Sequence, residues 1–224
     1  MSKQRQSAGD SGATNARRGT ANEARWDEIL AAAAEEFYER GYRAARLQDI
    51  AERVGLLTGS LYYYIDSKED LLFALVESTH RLGVETTVED EATARSDAAT
   101  RLRAFIQRQM RLMHDLEAPA GAVQRDLPFL EAQHRAQISE MRQHLHRFVY
   151  GIIEQGIADG DFEPTMDIGV ATNTIFGLLR TTPDWAQKPG RLTWSEIGDW
   201  YSRLALRGLA VRGKPESAHA ELAG

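Results

Sequence analysis

The stretch LQDIAERVGLLTGSLYYYIDSKEDLL, Leu47–Leu72, decides the fold. Leu47, Ile50, Ala51 and Val54 recur at three- and four-residue spacing, the mark of a short helix with one apolar face, and Gly55 ends it. Leu57, Leu61 and Ile65 repeat every fourth residue and predict a second short helix, broken by Asp66-Ser67. Two short helices about a glycine turn form a helix-turn-helix. With Leu57, Leu61 and Ile65 turned inward, Thr58, Gly59, Ser60, Tyr62 and Tyr63 point outward. Their hydroxyls suit phosphates and base edges, and the glycine allows close backbone approach. The positive end of the helix adds attraction for phosphate. A helix turns about 100° per residue, so three successive tyrosines cannot share one face. Tyr63 is expected to be exposed, Tyr62 partly so, and Tyr64 to pack toward the core. Ser67, three residues before Asp70, caps the next helix, and Lys68 at its start is expected to clamp a phosphate.

Outward from this stretch the pattern stays helical. On the N-terminal side Ile29, Ala32, Ala33 and Phe37 form one face, Glu35, Glu36 and Glu39 the other, and Gly41 stops the helix. Before it, residues 1–22 are polar and small, with Lys3, Arg5, Arg17 and Arg18 against Asp10, and are expected to be a disordered basic tail. On the C-terminal side Leu71, Leu72, Leu75 and Val76 carry a fourth helix, and residues 89–96 are a polar linker. Periodicity resumes from Leu102 to Leu116, runs from near Leu127 to Gly160, and continues through Ile168–Leu179. A loop over Pro183–Gly190 holds Trp185, and a last helix runs from about Trp194 to Val211. No alternating strand pattern or hairpin dipeptide appears. The expected fold is all-α with about nine helices: a helix-turn-helix domain over 23–70, a C-terminal helical domain over 71–212, and a flexible tail over 213–224.

Composition narrows the function. The 224 residues contain no cysteine, which excludes disulfides, cysteine-ligated zinc and a thiol nucleophile. There is no apolar run of membrane-spanning length and no secretory signal, so a cytoplasmic protein without a membrane partner is expected. His144 and His146 are two apart on a helix, His80 and His114 belong to no metal-ligand spacing, and no GxSxG, HExxH or glycine-rich phosphate loop occurs. No catalytic residue, metal or cofactor is therefore expected. The net charge is −6, yet residues 40–68 carry five basic groups (Arg40, Arg43, Arg46, Arg53, Lys68) against three acids. That local excess predicts a modest, salt-sensitive DNA binder.

Residues 25–72, RWDEILAAAAEEFYERGYRAARLQDIAERVGLLTGSLYYYIDSKEDLL, resemble the N-terminal domain of TetR-type transcriptional regulators. The resemblance rests on Phe37 and Gly41, on Asp49-Ile50-Ala51, on Gly55, on Gly59-Ser60-Leu61-Tyr62 and on Ser67–Leu71. It implies that Tyr62 and Lys68 hold phosphates, while Gln48, Thr58, Ser60 and Tyr63 reach bases or phosphates. Ala45-Arg46 replace the family's usual threonine pair, which loses a helix cap worth about 1 kcal/mol and lets Arg46 add a phosphate contact. Ile65 replaces a usual phenylalanine.

The resemblance further implies that 71–212 is a ligand-binding and dimerisation domain and that a homodimer reads a palindromic operator in double-stranded DNA, with recognition helices about one turn apart. The dimer seam is expected on the last two helices, where Gly169, Ala171, Gly177, Gly198, Ala205 and Gly208 allow close approach. Phe105, Met110, Met113, Leu116, Phe148, Phe176 and Trp185 are candidate walls of an effector pocket, with Arg125, Arg142 and Arg147 near it in sequence as candidate receivers of anionic groups. The run Ile152–Phe162, with Thr181, Trp185, Pro189-Gly190 and Leu192-Thr193, is similar to acyl-CoA-responsive repressors of lipid and steroid catabolism. An acyl-CoA effector that releases the operator is the reading. The alternatives are a regulator of efflux or secondary metabolism answering a non-CoA hydrophobic ligand, and a helical ligand-binding protein with no DNA function.

Overall fold

Gly41 has φ 77°, a left-handed conformation that costs other residues strain, and there the first helix kinks. The structure, a computed structural model, describes residues 10–88, 91–116, 125–165, 167–186 and 192–211. Nine α-helices and one 3-10 turn are bounded among them, and an isolated bridge pairs Phe162 with Ala210. The helices are α1 (Asp10–Ala44), α2 (Leu47–Arg53), α3 (Thr58–Leu61), α4 (Lys68–Glu85), α5 (Glu91–Ala94), α6 (Ala98–Asp115), α7 (Ala132–Ala158), α8 (Ile168–Ala186) and α9 (Trp194–Leu209). None is long and apolar enough to cross a membrane.

Two apolar clusters organise the chain. The first, the head, gathers Ile29, Ala33 and Phe37 of α1, Ile50 and Ala51 of α2, Leu61, Ile65, and Leu71, Leu72, Leu75 and Val76 of α4. It continues past residue 70 and takes in Leu130 and Ile138 from the start of α7. The second, the body, packs Leu102, Phe105, Ile106 and Met110 of α6 against α7, α8 and α9. Helix α4 belongs to the first cluster and still touches α6, where buried Gln109 donates to Thr86 Oγ1 at 2.7 Å. Just before α7, Leu130 is buried in the head core, and Leu127 and Phe129 pack against it.

Several boundaries differ from the periodicity. α1 already includes residues 10–22, expected as part of the tail; residues 1–9 and the tail 213–224 lie outside the described residues. The linker contains the short α5, and Asp97 caps α6 by accepting from Thr100 N–H at 2.6 Å. α7 begins at Ala132, not Leu127, because Leu130 is extended and buried, its carbonyl taken by the Arg135 side chain. α8 runs through Pro183 to Ala186, so Trp185 is helical: this late in the helix, proline removes a single hydrogen bond. Glu36 is not on a solvent face; it is fully buried between Arg40 and Arg53. At the end of α7, Gly156 lies where a Cβ would meet the Phe162 ring at 2.4 Å, and Glu163 N–H donates to Leu209 O at 2.8 Å. The Ile152–Phe162 run thus closes α7 onto α9.

Candidate nucleic-acid interface and ligand cavity

The helix-turn-helix face is built on the turn at Gly55, whose φ of 68° sends Leu56 inward and Leu57 out. Leu57 does not join the inward stripe: α3 starts after it, and it is 80% exposed. Leu61 and Ile65 are buried as expected. α3 proper has four residues, continued by single turns to Tyr64, so it aligns too few peptides for the helix-dipole attraction expected of it. Tyr63 is 89% exposed and Tyr62 53%, while Tyr64 stacks on Trp26 with centroids 6.3 Å apart. Gly59 is exposed, and a Cβ there would meet nothing within 4 Å. The surface at Gly59 is therefore open to close backbone approach. Thr58 and Ser60 are half-buried beside it.

The basic groups of this region behave differently from the charge count. Arg40 pairs with Glu36 and with Asp49 at 2.7 Å, and Arg53 pairs with Glu35, Glu36 and Glu39 at 2.6–3.1 Å. Arg43 lies over the Phe129 ring. Lys68 is no free phosphate clamp. Its ammonium donates to the carbonyls of Tyr42 at 2.7 Å and Ala45 at 3.0 Å, above the Tyr42 ring, and burial holds its pKa below the usual lysine range. The α1 kink exposes these carbonyls, and Lys68 satisfies them. Arg46 is exposed at the start of α2 without a side-chain cap, and Gln48 is exposed and bonded to Glu52 at 2.9 Å.

Ser67 and Asp70 form the predicted capping box, with Asp70 N–H donating to Ser67 Oγ at 3.1 Å and Ser67 N–H to Asp70 Oδ2 at 2.8 Å. Beside them buried Glu69 accepts from Glu131 N–H at 2.8 Å and lies 2.8 Å from His134 Nδ1. Glu69, Asp70 and His134 have ligand atoms within 4.8 Å of one another, but Glu69 and His134 are engaged in the joint between α4 and α7 and Asp70 in the cap of α4.

The body holds a cavity of about 350 Å³ between α4, α6, α7 and α8. Of the eight predicted ligand residues, Met113, Leu116 and Phe176 line it. Phe105 and Met110 are fully buried core, Phe148 packs on Phe105, and Trp185 is 46% exposed away from the cavity. Arg125 serves the head instead: its guanidinium donates to the Phe37 carbonyl, to Tyr38 O at 3.2 Å and to Asp126 at 3.0 Å, while Asp126 accepts from Tyr42 N–H.

The polar lining went unpredicted as a set: His80 of α4, Arg142 and His146 of α7, and Asn173 and Arg180 of α8. Arg142 and His146 stand four residues apart on one helix face, a spacing that the sequence does offer. Burial, reinforced by the neighbouring Arg180, lowers the Arg142 pKa. Burial also lowers His80 and His146, and Arg142 adds to both shifts. His146 stacks on Phe176 at 4.1 Å. Among the described residues no carboxylate lines the cavity, and Arg142 and Arg180 have no acidic partner.

On α8 and α9 the outward apolar groups are large: Val170 is 62% exposed, Trp200 53% and Leu204 60%. Of the small residues expected at a seam, Gly198 packs on Met110 within the subunit and Gly177 lines the cavity, while Ala171 and Ala205 pack on the body core.

Comparison with known proteins matches residues 29–75 to the family model of bacterial regulatory proteins, tetR family, and residues 95–209 to the tetracyclin repressor-like C-terminal domain. The chain is 28% identical over 203 residues to the HTH-type transcriptional repressor KstR2 of Mycobacterium tuberculosis (strain ATCC 25618 / H37Rv), covering 90% of this chain and 97% of that protein. Among solved structures, a regulatory protein in the tetR family from Rhodococcus RHA1 superposes with TM-score 0.77 and 28% identity, over 83% of this chain and 97% of that one. AibR in complex with isovaleryl coenzyme A and operator DNA superposes with TM-score 0.72 and 25% identity, over 80% and 97%.

Proposed function

The chain belongs to the tetR family of bacterial regulatory proteins, and from that membership we propose that it is a homodimeric repressor released from its operator by an anionic hydrophobic effector, an acyl-CoA thioester. It is a DNA-binding transcriptional regulator and not an enzyme. In this reading Arg46, Gln48, Thr58, Gly59, Ser60, Tyr62 and Tyr63 meet a palindromic operator. Lys68 acts behind them by fixing the end of α1 on which α2 and α3 are mounted. The exposed Val170, Trp200 and Leu204 support a dimer seam on α8 and α9.

The observation that carries the effector reading is the cavity, apolar on most of its wall and faced by Arg142 and Arg180 with no acid among the described residues. The half-buried Arg142 guanidinium, with Arg180 beside it, is costly unless an anion joins the two. A volume of about 350 Å³ suits an acyl group. The exposed Arg180 marks the mouth, where a CoA headgroup would remain outside. The bound isovaleryl coenzyme A of AibR is in keeping with this. In the mechanism, effector binding favours a dimer whose heads are wrongly spaced for the operator, and its differential affinity for the two states sets the response.

A flat aromatic effector without CoA is the competing reading, favoured by the His146–Phe176 stack. Gel shifts on the operator separate the two. Micromolar acyl-CoA should release the DNA and the free acid should not; equal release by both, or release by a neutral aromatic alone, overturns the acyl-CoA assignment.

A further inference from the structure

Leu57 breaks two local rules of folding at once. It occupies the position before α3 in extended conformation (φ −72°, ψ 144°), where a serine, threonine or aspartate would accept a hydrogen bond from the exposed N–H groups of the first turn. Leucine offers no acceptor, and none is made. Its side chain is 80% exposed, while its neighbour Leu56 packs on the head core. The fold therefore gains neither a cap nor buried surface from this residue. A position that violates local preference without a structural return is where a functional contact is expected.

The face around it is suited to one partner. Next to Leu57 are Gly59, open to close approach, Thr58 and Ser60 with hydroxyls, and the exposed rings of Tyr62 and Tyr63. Hydroxyls bond to phosphates and to several base edges, so they discriminate weakly. In this corner the side chain with no hydrogen-bonding group is Leu57. The apolar feature that B-DNA displays in its major groove is the C5-methyl of thymine.

We infer that Leu57 is a specificity-determining residue that reads a thymine by packing on its C5-methyl in each half of the operator. The inference rests on the α2–α3 face being the operator-facing one, and the test keeps the two apart. Full-length protein is used to select bound sites from a random duplex library. Each thymine of the selected half-site is then replaced, one at a time, by deoxyuridine, which removes the methyl and leaves base pairing intact. At one thymine per half-site the wild type should lose roughly three- to fivefold in affinity, the worth of about one buried methyl group. The Leu57→Ser protein should bind the thymine and deoxyuridine duplexes equally at that position while keeping its discrimination at other positions and its salt dependence.

Wild type that binds the selected operator but is indifferent to deoxyuridine at every position overturns the inference alone. So does a Leu57→Ser protein with the wild-type thymine preference, or a selected half-site without thymine. Wild type that enriches no sequence overturns the operator-facing assignment as well. Leu57→Ala serves as a second variant that adds no cap, and it should show the same loss of discrimination.

Discussion

In the head, Arg53 lies within 3.1 Å of carboxylate oxygens from Glu35, Glu36 and Glu39, and Arg40 pairs with Glu36 and Asp49. In the body, Arg142 and Arg180 face one cavity with no acid beside them among the described residues. A charge count along the sequence places the functional cations in the first region. The geometry reverses this: the head spends its arginines on holding α2 to α1, and the body keeps two uncommitted. An ion pair that is already made contributes to position, while a half-buried guanidinium without an acid beside it favours an anion. The head then exposes hydroxyls, aromatic rings, one leucine and Arg46, and the body lines its cavity with positive charge.

The largest expected effect comes from the exposed apolar face of the body. Trp200→Glu with Leu204→Glu should convert the dimer to monomer in analytical ultracentrifugation. Operator affinity should fall on the order of 100-fold as bivalent binding becomes monovalent. A double variant that stays dimeric moves the seam elsewhere. Next is the ion-paired cluster of the head. Arg53→Ala leaves Glu36 buried with Arg40 as its remaining partner and should cost about 3 kcal/mol in urea unfolding, toward the lower end for orphaning a buried charge because Arg53 is partly exposed. Arg142→Ala should leave stability unchanged or slightly raised, since it relieves repulsion with Arg180. If both variants unfold alike, the contrast between the two regions fails.

A smaller effect is the pH dependence of the cavity. Burial holds His80 and His146 below the ordinary histidine pKa of about 6.5, so in the free protein they stay neutral until lower pH. The unfolded chain binds those protons more readily, so stability should decline as pH falls below about 6.5. An anionic effector placed beside them raises both pKa values, binding takes up protons, and effector affinity should rise several-fold between pH 8 and pH 6 in calorimetry. An affinity that falls over that range, or does not change, argues for a neutral effector. The smallest effect is salt dependence. Arg46→Ala should lower the slope of log K against log salt by about one per head, while Arg40→Ala should barely change it.

The head was largely legible from sequence because short joints, glycine punctuation and a capping box fix α1 to α4 locally: Gly41, Gly55 and Ser67-Asp70 stand where the structure bends or caps. What stayed hidden depends on partners distant in sequence. Lys68 and Arg125 look like anion receivers, yet they end on backbone carbonyls 23 to 88 residues away. Long cationic side chains carry no mark of which acceptor they will find. The cavity was legible in part, since apolar residues of one helix read alike whether they fill a core, as Phe105 and Met110 do, or line a space, as Met113 and Leu116 do. Only the packing of α4, α7 and α8 brings His80, Arg142, His146 and Arg180 together. Leu57 continued the four-residue stripe in sequence and left it in structure because α3 begins one residue later.

The most direct test titrates a palmitoyl-CoA and isovaleryl-CoA series against labelled operator bound to wild type and to Arg142→Ala, read by fluorescence anisotropy. Both proteins should bind the operator with equal affinity. Wild type should be released at micromolar acyl-CoA of one chain length, and the variant should need at least about tenfold more, the loss of a charge-assisted contact. Release at the same concentration from both proteins, or from neither, would contradict a regulator whose head answers to an anion held by Arg142 in the body.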